Sequence, residues 1–239
     1  MGLWSKIKKA AKKVGRAIRG AVSQIVSIIN TVVQRIIGIP DWIGSLIGIR
    51  PQKKLRLKVV VLRDESGEYL ASRKELQPII DTAIDIYKRR CNVKIIPAEE
   101  EFIQMYDVIP PTSALDISCN SGAWKEDFGE AGSFFSLLTA VPKVGLIGFG
   151  YATPVTAIVV RDIAGKKGCS LGPLTEYVTI DLDGIATDDT LSHEIGHACS
   201  MKHRKKKSNL MFHSSTGRGD QLTRWQSSNV RWSKHVSYL

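Results

Sequence analysis

Cysteine is scarce in this sequence, with four in 239 residues, and no two of the four form a CxxC pair. Zinc ribbons and thioredoxin-like redox sites need such pairs, so both classes are excluded. The spacing does not choose among the three ways of pairing four cysteines. Two disulfides in an exported protein and buried free thiols fit equally well, so the redox compartment stays open; the residues are Cys91, Cys119, Cys169 and Cys199.

Internal repeats, low-complexity segments and membrane-spanning runs are missing as well. Glycine (20) and proline (9) occur near their average frequency, which excludes a collagen-like chain. Within residues 1–50 the longest uncharged stretch, 20–34, has 15 residues and several polar side chains, whereas a transmembrane helix needs about 20 mostly apolar residues. Because 43% of the residues are hydrophobic, the chain can bury a core. Its length suits one domain and an appendage.

Acidic residues are nearly absent from residues 1–50, which contain one aspartate, Asp41, and nine lysines and arginines. This segment therefore carries a net charge of +8, out of +11 for the whole chain. Most of the basic character belongs to one end of the protein. We predict a basic N-terminal arm over residues 1–50 and a main domain over residues 51–239, with Pro51 at the boundary.

The arm has the pattern of an amphipathic helix. Apolar residues recur every three or four positions from Leu3 to Ile36, and seven lysines and arginines fill the other faces of the first five turns. Trp4 stands at its start. Such a helix is expected to lie in an anionic membrane surface. We expect Pro40 to break it and Trp42 to be a second interfacial anchor.

Residues Gly2–Lys8 (GLWSKIK), followed by Gly20–Ser23 (GAVS), resemble the dermaseptin family of membrane-disrupting cationic peptides. The resemblance implies that the arm binds membranes. Two other interpretations stay open: the helix packs on the main domain or on a partner, or it is a packing signal for a secretion or injection apparatus. A secretory signal peptide fits poorly, because the basic region is long and polar residues interrupt the apolar one. We therefore expect delivery by a route without a signal peptide.

The main domain begins with a β-α-β pattern. Lys54–Leu62 is rich in β-branched residues and predicts a strand. Ser72 and Glu75 have capping-box spacing before an amphipathic segment that ends near Arg90, and Asn92–Ile96 predicts a short strand. A helix between two such strands predicts a crossover unit.

The second half of the chain predicts further elements. Gly129–Val141 could form a helix, and Val155–Arg161 predicts a buried strand. Tyr177–Leu182 alternates and carries charge at its end, which suits an edge strand. Thr187–Met201 predicts a helix with acidic residues in its first turn.

This last helix contains an HExxH motif, His193-Glu194-Ile195-Gly196-His197. Two imidazoles four residues apart share one helix face and can bind a single metal ion, with Glu194 beside it. His203 follows six residues after His197, and this combination is expected by chance in roughly 1 of 10,000 chains of this composition. Three imidazoles with one open position suit zinc, so we predict that His193, His197 and His203 bind Zn²⁺.

The predicted site has the chemistry of a hydrolase. Three protein ligands leave a position for a water molecule, whose pKa zinc lowers to about 7. Glu194 would take the proton of this water as general base and pass it to the leaving amine, while zinc polarises the scissile carbonyl.

The motif is similar to that of the metzincin clan of zinc endopeptidases, HExxHxxGxxH followed by a Met-turn, for which Leu210-Met211 is the candidate. The resemblance covers about residues 54–239 and implies an α+β fold. It implies a twisted mixed sheet, an active-site helix, and a small C-terminal subdomain in which Met211 lies beneath the metal. It further implies a C-terminal helix within Leu222–Val236 and a peptide substrate paired with the edge strand Tyr177–Asp181.

Two residues depart from the pattern of the clan. Ser200 stands where the clan has glycine, at a turn that needs a left-handed backbone conformation, which costs serine about 1 kcal/mol. Arg204 follows the third histidine, where subfamilies differ, so no subfamily is assigned.

Two histidines lie outside the motif. His213 comes two residues after Met211, where some relatives have a tyrosine near the zinc; we predict that it is a catalytic residue that stabilises the tetrahedral oxyanion, the alternative being a solvated loop residue. His235 is expected on the surface, and so is the cationic run of Lys202 and residues 204–207. Nucleic-acid binding is not expected, because the basic runs lack base-stacking aromatic residues.

Taken together, the two halves predict a zinc-dependent endopeptidase that cleaves proteins or peptides. Its arm would carry it to or across an anionic membrane, as in a secreted toxin or effector. Two alternatives stay open: a membrane-permeabilising protein whose metal site is only structural, and an inactive peptide-binding module.

Overall fold

The computed structural model describes residues 38–119, 129–139, 152–171 and 175–239. The predicted amphipathic helix from Leu3 to Ile36, with the dermaseptin-like segment, lies outside these ranges. Among the helices that are described, none combines the length and the apolar character that crossing a bilayer requires.

The described residues form six α-helices and nine β-strands. Their order is α1 (Ile39–Leu46), β1 (Lys53–Val61), α2 (Arg73–Cys91), β2 (Val93–Pro97), β3 (Ile103–Met105), β4 (Asp116–Ile117), α3 (Glu130–Leu138), β5 (Val155–Val159), β6 (Asp162–Ile163), β7 (Gly168–Ser170), β8 (Tyr177–Ile180), α4 (Leu182–Ile185), α5 (Thr190–Ala198), α6 (Arg224–Arg231) and β9 (Val236–Ser237).

Seven of these strands form one mixed sheet, in which β2, β1, β5, β8 and β7 lie side by side and β3 and β9 also pair with β1. Strand β1 is parallel to β2, β3 and β5, and β5 is parallel to β8. Strands β7 and β9 run antiparallel to their neighbours. The predicted α+β fold with a mixed sheet is confirmed.

The β-α-β unit forms as its local sequence predicts. The Ser72 hydroxyl and the Glu75 carboxylate make both hydrogen bonds of a capping box at the start of α2. Asn92 takes a left-handed conformation and ends the helix. Strands β1 and β2 then pair in parallel, as a crossover requires.

The sheet separates two hydrophobic clusters. Alternate residues of β1 point to opposite faces, so Val59 and Val61 pack with α2 and α5, whereas Val60 packs with α3 on the other side. Helix α5, which carries the HExxH motif, therefore rests on the larger cluster through Leu191 and Ile195. This packing fixes the position of the motif relative to the sheet.

Residues 38–50 contact the main domain directly. The indole of Trp42 lies between those of Trp225 and Trp232, with ring centroids 5.1 and 5.5 Å away. Asp41 forms ion pairs of 2.9 Å with both Lys53 and Arg231. The prediction that Trp42 is an interfacial anchor is corrected, because its ring packs against α6 and the residue after it. Proline at the start of α1 suits a first helical turn, where no amide donor is needed.

The predicted edge strand is an interior strand. Strand β8 is buried along its whole length, because β5 pairs with one side of it and β7 with the other. The edge position belongs to β7, a strand of three residues that the sequence pattern does not indicate. The charge that suggested an edge has another role, since Asp181 caps α4 by accepting a hydrogen bond of 2.7 Å from the Gly184 amide.

Two of the four cysteines form a disulfide and the other two are buried free thiols, so each of the two predicted alternatives holds for one pair. Cys119 and Cys169 form a disulfide that ties β7 to the segment after β4. Cys91 and Cys199 are buried thiols, and burial raises their pKa values to about 11 and about 12. Both stay protonated at neutral pH.

His235 is not on the surface, as the sequence suggested, but fully buried. Its Nδ1 donates a hydrogen bond of 2.8 Å to the carbonyl oxygen of Thr153. Burial, helped by the ammonium group of Lys234, lowers the pKa of His235 to about 4. The residue therefore belongs to the core, whereas the run of Lys202 and residues 204–207 is exposed as predicted.

Candidate metal centre

Helix α5 carries the first two candidate ligands of the centre. His193 and His197 are one turn apart and point to the same side, so their Nε2 atoms lie 3.1 Å from each other. The helix ends at Ala198, which leaves room for the chain to turn back toward these rings.

The turn after α5 brings in the third histidine. Ser200 has a φ of +69°, the left-handed conformation for which the clan uses glycine. The amides of Ser200 and Met201 donate to the carbonyl oxygens of His197 and Gly196, at 2.8 and 2.9 Å. The chain then places Nε2 of His203 at 3.1 Å from that of His197 and 3.3 Å from that of His193.

Backbone carbonyl groups fix the orientation of two of the rings. Nδ1 of His193 donates to the carbonyl oxygen of Leu210 and Nδ1 of His197 to that of Met201, both at 2.8 Å. With the proton on Nδ1, each Nε2 presents its lone pair to the centre, as metal-binding histidines require. Burial lowers the pKa of His193 to about 3 and that of His197 to about 4, so both rings are neutral.

The three nitrogens fit a zinc ion. Tetrahedral Zn–N bonds of about 2.0–2.1 Å place neighbouring nitrogens about 3.3–3.4 Å apart. The Nε2 separations of 3.1–3.3 Å agree with this value. Within the described ranges, His193, His197 and His203 are the single group of potential ligands that converges in this way. The cluster is compatible with Zn²⁺ bound by three protein ligands, which leaves a fourth position for solvent or substrate.

Glu194 lies beside the three histidines in a buried position. Its Oε2 has no hydrogen-bond partner among the described residues. Burial raises the pKa of Glu194 to about 8, although the guanidinium of Arg218 acts in the opposite direction. A carboxyl group with this pKa can take up and release a proton near neutral pH.

Two glycines make the space that these side chains need. A Cβ atom at Gly168 on β7 would lie 2.7 Å from Cγ of Glu194. A Cβ atom at Gly196, between the two histidines of α5, would lie 2.6 Å from Sδ of Met211. Met211 is fully buried and packs against α5 at Gly196, between the two histidines, where the predicted Met-turn would place it.

A cavity of about 460 Å³ opens in front of the histidines and Glu194. Strand β7 and the disulfide form part of its wall. The exposed His213 also lines it, so the structure brings this predicted residue to the same cavity as the metal ligands.

One lining residue, Arg218, is absent from the sequence-based prediction. Its local sequence, GRGD, resembles an ordinary polar loop. No spacing rule connects it to the HExxH motif, so the sequence contains no signal that could have identified it.

No family of known domains matches this sequence, and no curated protein matches it. Two solved structures are similar to this chain. The first is metalloproteinase-II from Bacteroides fragilis, which is 14% identical with a TM-score of 0.44 over 73% of this chain and 50% of that one. The present chain thus spans about half the length of that protein.

The second structure is mirolysin in complex with compound 9, which is 14% identical with a TM-score of 0.51 over 75% of this chain and 91% of that one. At this identity the likeness concerns the fold. The chain therefore shares its fold with mirolysin, and three histidines converge within the described residues.

Proposed function

We propose that this protein is a zinc-dependent endopeptidase of the metzincin type. The observation that carries the proposal is the convergence of three Nε2 atoms at 3.1–3.3 Å beside the buried carboxyl group of Glu194. A purely structural zinc site is normally closed by a fourth protein ligand. Here the cluster has three members among the described residues, and a cavity adjoins it.

A zinc ion bound here would supply Lewis acidity toward a carbonyl group and would acidify a water molecule. Glu194 is proposed to receive a proton from the attacking water, because it lines the same cavity as the three histidines and makes no competing hydrogen bond through Oε2. It can then pass the proton to the nitrogen of the departing amine.

His213 is proposed as the residue that stabilises the oxyanion of the tetrahedral intermediate. Its support is its place in the wall of the cavity, on the loop that follows Met211. Replacing His213 with alanine should then lower kcat about 10-fold or more while KM changes little. An unchanged kcat in steady-state kinetics would contradict this role.

The edge strand β7 is proposed to bind the peptide substrate. Within the described sheet it lies at the end of the strand order and also lines the cavity. An extended peptide can add to such an edge through main-chain hydrogen bonds. This arrangement would hold the scissile bond near the three histidines.

The peptidase proposal can be tested with a peptide library and casein. Replacing Glu194 with glutamine should lower kcat/KM by about 10²–10⁴-fold, because the general base is lost. The zinc content should stay the same, because Glu194 is not a ligand. The exposed Glu100→Gln is the matched control and should keep full activity. A zinc-loaded native protein that cleaves no member of the library would instead support a structural metal site or a peptide-binding module.

We also propose that residues 1–50 bring the peptidase to an anionic membrane surface, as a toxin or effector exported without a signal peptide. The support from the described residues is a row of isoleucines at intervals of four, two on α1 and one directly after it. Ile39, Ile43 and Ile47 are 45%, 52% and 73% exposed. They extend the apolar spacing of the arm, whose cations favour anionic lipids.

Co-sedimentation of the full chain with vesicles tests this association. We expect binding to vesicles of anionic phospholipids and much weaker binding to zwitterionic ones. A variant with serine at Ile39, Ile43 and Ile47 should bind less, whereas serine at the equally exposed Val108 and Ile109 should have no effect. Failure of the native chain to bind anionic vesicles would remove the membrane role.

A further inference from the structure

Arg218 holds a guanidinium group inside the wall of the cavity. Its side chain is only 6% exposed, although it belongs to a surface loop. The loop is held close to the domain, because the amide of Gly219 donates a hydrogen bond of 2.8 Å to the carbonyl oxygen of Lys207. A Cβ atom at Gly219 would lie 2.5 Å from the carbonyl oxygen of Ser208, so this approach requires glycine. The backbone thus directs Arg218 inward.

Arg218 has one acidic partner within 4 Å among the described residues, Asp189, and the two side chains form an ion pair without a hydrogen bond. The nearest carboxylate oxygen, Oδ1 of Asp189, lies 3.5 Å from its Nη1, and neither atom makes a hydrogen bond. Its Nε donates a hydrogen bond of 3.3 Å to the carbonyl oxygen of Ser214. A guanidinium has five N–H donors in a planar fork, and each buried donor that lacks an acceptor is costly. The arrangement leaves donors for an anion that enters the cavity.

The cavity as a whole also favours an anion. Its described lining contains three cationic side chains, Lys166, Lys167 and Arg218, and a single carboxyl group, Glu194. The resulting positive potential attracts acidic groups of a peptide.

We propose that Arg218 is a specificity-determining residue, which binds the carboxylate of an aspartate or glutamate side chain beside the scissile bond. This inference rests on the proposed peptidase function. His193 and Arg218 line the same cavity, so a peptide bond at the histidines places a neighbouring side chain within the same space. The planar fork of arginine matches a carboxylate with two parallel hydrogen bonds, which an uncharged amide side chain cannot reproduce.

The first experiment uses the native zinc-loaded protein and pairs of peptides. Each pair differs only by glutamate or glutamine at one position next to the bond that library profiling identifies. At one of these positions kcat/KM should be about 10- to 100-fold higher for the glutamate peptide, as expected for a charge-assisted hydrogen bond in a partly closed site. Equal values at every flanking position would overturn the inference.

The second experiment identifies the side chain responsible. In Arg218→Gln the ratio between glutamate and glutamine peptides should fall to about 1, and Arg218→Lys should keep an intermediate ratio because it retains a point charge. Arg224→Gln replaces an exposed arginine outside the cavity lining and should keep the native ratio. A preference that persists in Arg218→Gln would mean that another residue binds the carboxylate and would overturn the inference.

A binding measurement separates this inference from the peptidase proposal. The zinc-loaded Glu194→Gln protein should bind a labelled glutamate peptide about 10-fold or more tightly than its glutamine partner, as fluorescence anisotropy measures. If this difference is found but the native protein cleaves neither peptide, the peptidase proposal fails and the carboxylate site stands. If cleavage is found without any difference between the peptides, the carboxylate site fails alone.

Discussion

Gly168 shows how a single missing side chain shapes the site. Its position on β7 is so close to Glu194 that a Cβ atom would lie 2.7 Å from Cγ and 2.8 Å from Oε1 of that residue. Contacts this short do not occur between such atoms, so the carboxyl group would have to move. The absence of a side chain here gives Glu194 its place beside the histidines.

Replacing Gly168 with alanine should therefore reduce catalysis without removing the metal. We expect kcat/KM to fall about 100-fold, because a displacement of about 1 Å at a reacting group has an effect of this size. The zinc content should remain that of the native protein. Activity equal to that of the native protein in the same peptide assay would show that Glu194 does not need this space.

Within α5 the spacing of the sequence predicts that the two histidines of the motif lie together, because local helix geometry determines their positions. His193 and His197 share a face in any regular helix. His203 reaches them only because the helix stops and Ser200 accepts a left-handed conformation, with a φ of +69°. The HExxH pattern is evident from the sequence, and so is the serine at position 200, where the metzincin pattern has glycine.

Comparison of glycine and alanine at position 200 measures the conformational strain of that turn. Both substitutions remove the hydroxyl group, and only alanine keeps a Cβ atom. The glycine variant should therefore be more stable than the alanine variant by about 1 kcal/mol, which corresponds to a Tm about 2–4 °C higher for a domain of this size. An alanine variant as stable as the glycine variant in thermal unfolding would contradict the proposed strain.

The strands were harder to place than the helices. Strand β1 and the buried strand β5 follow from runs of β-branched residues, but β7 has only the sequence GCS. It lies in the sheet because β8 offers hydrogen bonds to it and because the disulfide to Cys119 ties it down. Pairing between β7 and β8 therefore decides which strand lies at the edge of the sheet. No local sequence pattern indicates this pairing, so the sequence placed β8 at the edge instead.

At the scale of the molecule, an ion-pair cluster joins parts of the chain that are far apart. Asp41 on α1 pairs with Lys53 on β1 and with Arg231 on α6, both at 2.9 Å, and the side chain of Arg231 is fully buried. The carboxylate is the partner of two buried cations. Its loss would leave both cations without that charge.

Replacing Asp41 with asparagine should therefore lower the free energy of unfolding by about 3–5 kcal/mol, the usual cost of breaking a buried ion pair by removing one partner. Asp107→Asn is the matched control, because its pair with Arg63 is 80% exposed on the acid side and should contribute less than about 1 kcal/mol. Equal effects of the two substitutions in urea unfolding would show that residues 38–50 contribute little to the stability of the domain.

The burial of His235 predicts how stability depends on pH. Its pKa is about 4 in the folded protein and about 6.5 when unfolded, so the native state favours the neutral ring. The unfolded chain then binds a proton more readily, and stability is full above pH 6.5 and is lost as the pH falls from about 6.5 toward 4. At pH 5 the loss from this residue should be about 2 kcal/mol.

Replacement of His235 with asparagine isolates this effect, since asparagine can still donate to the carbonyl oxygen of Thr153 but does not titrate in this range. The difference in unfolding free energy between the two proteins should shift by about 2 kcal/mol in favour of the variant between pH 8 and pH 5. A difference independent of pH would mean that the ring is already neutral in the unfolded chain or is charged in the folded one.

The resemblance carried by the HExxH motif implied the α+β class, and the amino-acid sequence alone determined the β-α-β unit and the spacing of the three histidines and Glu194. Each of these depends on spacing within one or two turns or strands, where backbone geometry leaves little choice. Three features depend on contacts between distant segments: the edge position of β7, the burial of His235 against Thr153, and the inward direction of Arg218. Only packing of the whole chain creates such contacts, since the same short sequences are compatible with an exposed loop in another fold.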